Sequence, residues 1–87
     1  MSNYTGQATL TFTNGIRYSG TAILRTRQAD GRTDWRGTFA AEDGSPINAG
    51  SATIEVGGRS AEVLIQDWQF DGHQGTAVLL GQDEPPF

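Results

Sequence analysis

Few side chains in this sequence have a type and spacing suited to chemistry. His73 is the only histidine, two residues after Asp71. An imidazole beside a carboxylate can serve as a general base, but no nucleophile stands at a spacing that would complete such a site. A solvated turn residue is the favoured reading. Asp67 and Asp71 form a DxxxD pair that lacks the ligand density of a calcium loop. There is no cysteine, hence no thiolate metal site and no disulfide framework. Phosphate-loop, dinucleotide and zinc spacings are missing too. No catalytic residue, metal ligand or cofactor is expected.

The arginines are the second chemical resource. The chain has 87 residues, six Lys+Arg (all arginine) against ten Asp+Glu, and a formal net charge of −4. The charges are segregated. Residues 16–37 hold five arginines and two aspartates, net +3, and the remainder is net −7. Such asymmetry can mark an anion-binding face, or it can be ordinary surface charge on a small β domain. The stretch DGRTDWRGTF at 30–39 concentrates the question.

Strand pattern must position these groups. Twelve glycines, with many Thr, Val and Ile, favour strands and tight turns, and no amphipathic helical window is visible. Residues 6–12 match 50–56 at an offset of 44, through Gly6, Ala8, Thr9, Leu10 and Phe12 against Gly50, Ala52, Thr53, Ile54 and Val56. WRGTF at 35–39 loosely parallels HQGTA at 73–77. Two copies are too few for a solenoid. They suggest two related three-stranded meanders, joined by AAEDGSPINAG at 40–50.

Side chains alternate along a strand, so a correct register keeps the apolar faces together. In the first hairpin a three-residue loop, Thr13-Asn14-Gly15, pairs Leu10 with Tyr18 and Phe12 with Ile16. The expected apolar face of the second strand is Ile16, Tyr18, Ala22 and Leu24. A two-residue Gly57-Gly58 loop pairs Val56 with Arg59 and Ile54 with Ala61. Asp30-Gly31 signals a type I′ turn. It sets Arg27 opposite Asp34, Arg25 opposite Arg36 and Ala22 opposite Phe39. Trp35 and Phe39 then fall on the core side, with Gly37 leaving room between the two rings. Arg25, Arg27, Asp34 and Arg36 share the other side. Arg27 with Asp34 is a reasonable cross-strand pair, whereas Arg25 with Arg36 is a like-charge pair. Two facing guanidiniums can hold a carboxylate or phosphate, so Arg25, Arg27 and Arg36 form a candidate anion site.

The last hairpin differs. A two-residue loop at Asp71-Gly72 pairs Val63 with Leu80, Ile65 with Val78 and Leu64 with Leu79. It leaves both faces apolar. Either a bulge switches the buried face or the outer face meets another subunit or domain. The candidate protein-contact face is Leu64, Gln66, Trp68, Phe70 and Leu79.

YTGQATL at 4–10, DGRTDWRG at 30–37 and GQDEPPF at 81–87 resemble a small domain family of unknown function from high-GC actinobacteria, found alone or behind flavin-dependent monooxygenase domains. The resemblance runs through Tyr4, Gly6, Ala8, Asp30-Gly31, Trp35, Gly37 and Pro85-Pro86-Phe87. It implies a compact accessory β domain and brings no catalytic residues.

The expectation is one all-β domain over residues 1–87, a six-stranded antiparallel barrel or two packed three-stranded meanders, with an internal repeat. The expected function is a non-catalytic accessory or protein-binding module that self-associates as a homodimer. The alternatives are an anion- or nucleic-acid-binding barrel using the arginines, then a small-ligand barrel. With no signal segment and no apolar run of ~18 residues, a soluble cytoplasmic protein without membrane contact is expected.

Overall fold

Turn chemistry dictates where each strand ends. A computed structural model describes residues 3–29, 31–70, 72 and 75–87. Its strands are β1 (Asn3–Phe12), β2 (Arg17–Ala29), β3 (Arg32–Ala41), β4 (Gly50–Val56), β5 (Arg59–Phe70) and β6 (Gly75–Gly81). After β1 the chain reverses through a bulged loop in which Gly15 takes φ +89° and its N–H donates to the Phe12 carbonyl at 2.9 Å. Gly57 and Gly58, at φ +56° and +86°, supply the two left-handed positions of a type I′ turn. Gly31 is left-handed as well, while Asp30 lies outside the described residues.

The six strands close into an antiparallel barrel in the ring order β1-β2-β3-β6-β5-β4. Exchanging the first three strands with the last three leaves this order unchanged. At the two seams Leu10 faces Ile54 and Phe39 faces Ala77. The expected registers of three hairpins are observed: Leu10 opposite Tyr18, Arg25 opposite Arg36, and Ile54 opposite Ala61.

Alternation puts one side chain in two inside the barrel. Leu10, Leu24, Trp35, Phe39, Ile54, Val63, Ile65 and Leu79 fill it, with Ile47 from the β3–β4 connection. Each such side chain contributes about 1.5–3 kcal/mol when fully buried. Ile16 departs from its expected place on the apolar face. It sits in the β1–β2 loop, 48% exposed.

Gly37 is needed for a reason other than space between rings. A side chain there would strike the Ile23 carbonyl oxygen and come within 2.8 Å of Leu24 Cδ2. Trp35 instead packs flat over Gly81, where a Cβ would collide with the indole. Its Nε1–H donates to the Asp83 carbonyl at 2.5 Å, and Phe87 meets the indole edge-on at 5.9 Å. The segment after β6 thus folds back over one mouth of the barrel.

Candidate functional site

The β5–β6 hairpin corrects the sequence reading. Phe70 pairs with Gly75, Trp68 with Ala77 and Asp67 with Val78. This pairing is two residues out of step with the one expected from a two-residue Asp71-Gly72 turn, and Asp71 itself lies outside the described residues. Between Ile65 and Asp67 the ladder slips by one residue, which makes Gln66 the extra residue of a bulge. Beyond it Ile65 pairs with Leu79 and Leu64 with Leu80. The bulge was one of the two explanations open for a hairpin with two apolar faces.

The register divides the expected contact face. Leu79 is fully buried, points into the barrel and cannot meet a partner. Trp68 lies on the inward side opposite Ala77, half-buried over Gly75. Phe70 stacks on it at 5.7 Å with planes 12° apart and is 60% exposed. Gln66 is exposed at the bulge. Of the five residues only Leu64, 36% exposed, belongs to the outer wall proper. His73 and Asp71, the imagined base and its neighbour, lie outside the described residues.

The outer wall brings together what the sequence kept apart. One transverse row runs Arg25, Arg36, Leu80, Leu64 across β2, β3, β6 and β5. The row beside it runs Ile23, Thr38, Val78, Asp67. The arginine candidates and Leu64 therefore stand on a single surface, bridged by Leu80. Ile23, 42% exposed, extends the apolar part to β2. Around Ile23, Arg25, Arg36, Thr38 and Val78 the wall hollows into an open groove of about 570 Å³. Val78 and Leu80 were missed as contact residues because the assumed register turned Val78 inward with Ile65. A correct β6 register was the signal that would have found them.

Arg27 does stand opposite Asp34. Among the described residues, however, no ion pair joins Arg25, Arg27 or Arg36 to a carboxylate. Arg25 and Arg36 face each other across one ladder step, where like charges repel. Long stems let both heads reach water, leaving the guanidiniums free to take an oxygen acid from outside. The carboxylates Glu62 and Asp67 project on the far side of the apolar row, from β5.

Among the described residues no group of three or more His, Cys, Asp or Glu is arranged to hold a metal ion. No helix there is long and apolar enough to cross a membrane. Fold and surface together define a small closed β-barrel with a mixed apolar and arginine-bearing outer wall. No protein-family model, curated protein or solved structure matches the chain.

Proposed function

We propose that this protein is a non-catalytic, cytoplasmic accessory module that contacts another protein through the outer wall of β2, β3, β6 and β5. The observation that carries this reading is the row Arg25, Arg36, Leu80, Leu64, with Ile23 and Val78 beside it. Outward positions of a small barrel ordinarily face water and are polar. An apolar strip rimmed by guanidiniums that pair with no carboxylate among the described residues fits a protein surface better. Within the closed ring each strand has a neighbour on both sides, so a partner meeting this part of the barrel meets side chains on a wall rather than an open sheet edge.

Anion binding is the second reading, favoured by the facing guanidiniums of Arg25 and Arg36. Nucleic acid fits less well, because Trp35 is core and Trp68 lies on the inward side of β5, so neither tryptophan accompanies the arginines for base stacking.

The test is capture from native lysate on immobilised protein, comparing wild type with an Ile23→Ser/Leu64→Ser variant of unchanged thermal stability. Proteins retained by the wild type and lost from the variant are expected. Identical retention on both, or none on either, overturns the reading.

A further inference from the structure

We infer that the wall's occupant is a second copy of this chain, laid face to face about a two-fold axis running along β6; the inference rests on the protein-contact reading above. The argument begins with the order of chemistry across the wall. Basic groups lie on one flank, Arg25 on β2 and Arg36 on β3. Apolar Val78 and Leu80 of β6 run down the middle, with Leu64 beside them on β5. Acidic Glu62 and Asp67 lie on the other flank, also on β5. A surface ordered basic, apolar, acidic is complementary to its own two-fold image, the symmetry most homodimers use.

Registry makes the pairing specific. Rotation about β6 lays β3 of one copy over β5 of the other at the same height. Arg36 and Leu64 occupy the same transverse row, with Leu80 between them. Arg36 of each copy therefore crosses Leu64 of the other, between the carboxylates of Glu62 and Asp67 on the same strand. The like-charge step between Arg25 and Arg36 gains acidic neighbours, and Val78 and Leu80 of the two copies meet at the centre. A nucleic acid would use the arginines and leave the apolar row uncovered. An unrelated acidic protein would leave Glu62 and Asp67 facing like charge.

The wall is narrow and curved. At a strand spacing of about 4.8 Å, β3 and β5 stand only about 10 Å apart. The contact falls at the small end of specific interfaces, so a concentration-dependent dimer is expected.

Sedimentation velocity over a micromolar-to-millimolar series tests this with wild type, Arg36→Glu, and Glu62→Arg/Asp67→Arg. Wild type is expected to dimerise. Each variant alone should dissociate at least tenfold more readily. An equimolar mixture of the two variants restores opposite charge at both crossings, so a heterodimer should recover. That recovery also separates a lost contact from a lost fold. A monomeric wild type throughout, variants as tight as wild type, or a mixture that stays monomeric each overturn the inference. If the wild type is monomeric while lysate capture remains wall-dependent, only self-pairing falls; if capture is also wall-independent, the protein-contact reading falls with it.

Discussion

The β2–β3 and β5–β6 hairpins occupy corresponding places in the barrel ring, but they hold their strands together in different ways. The first carries ten consecutive pairs without a slip, from Gly20 opposite Ala41 to Ala29 opposite Arg32. The second is interrupted at Gln66. The uninterrupted ladder commits every residue of β2 to one face. The bulged ladder contains one position that belongs to neither. A β-strand thus stores its tolerance to length change at a bulge, and the wall's asymmetry follows from that. β2 and β3 present strict alternation with arginines outward, while β5 presents Leu64, Gln66 and Asp67 in close succession.

Deletion separates the two most sharply. Removing Ile23, an exposed side chain, shifts its neighbours by one and turns either Leu24 or Ala22 out of the core. Loss of the cooperative thermal transition is expected. Removing Gln66 leaves Ile65 inward, Asp67 outward and Trp68 inward, and merely makes the ladder regular. A change of about 1 kcal/mol or less is expected, a few degrees in a domain of this size. Differential scanning calorimetry of both variants decides the matter. Similar stability in the two would mean that the bulge is not where the tolerance lies.

The two tryptophans sharpen the same contrast at side-chain level. Each lies over a glycine of β6, Trp35 over Gly81 and Trp68 over Gly75. Trp35 is buried and tied to the Asp83 carbonyl and to Phe87. Trp68 is half-buried and has Phe70 as its stacking neighbour. Trp35→Ala should therefore cost about 3–5 kcal/mol. Trp68→Ala removes roughly half as much buried area, about 1–2 kcal/mol. Urea denaturation gives both values. Equal costs would show that the second hairpin is as tightly packed as the first.

The same contrast explains what was legible in the sequence. Face parity located Trp35, Phe39 and Leu24 correctly because one side of β2–β3 is polar, and any odd slip would have exposed the core set. β5–β6 is apolar on both sides, so parity has little to discriminate. Parity is also blind to an even slip, and near the turn the assumed pairing was off by two. The bulge then hid the remaining offset, which is why Leu79 was placed on the surface and Val78 inside. The candidate wall was half visible: Arg25, Arg36 and Leu64 were all read as outward, but on separate faces. Their shared surface depends on the β3–β6 seam, a pairing of strands distant in sequence that no local pattern announces. Asp83 and Phe87 as partners of Trp35 were equally out of reach, since a tail folding over a barrel mouth has no periodicity.

The smallest expected effect lies in the segment that joins β3 to β4. After β3 the chain turns at Gly44, φ +75°, whose N–H donates to the Ala41 carbonyl at 3.1 Å. Asp43 accepts the Ser45 N–H at 2.9 Å. Hydrogen bonds from the Ser45 side chain and then its backbone hold the Asp43 carboxyl below the ordinary aspartate value. A depressed folded-state value stabilises the turn at pH above the unfolded value, and that stabilisation is lost as pH falls through the lowered one. Because Asp43 is fully exposed, water screens the interaction, and global stability should scarcely respond. The local titration should. In a carboxyl-detected NMR titration Asp43 is expected to have a midpoint below that of an unstructured aspartate, and Ser45→Ala should raise it. An unmoved midpoint would mean that Ser45 does not set this turn, and that Ile47, buried two residues later, anchors the connection by packing alone.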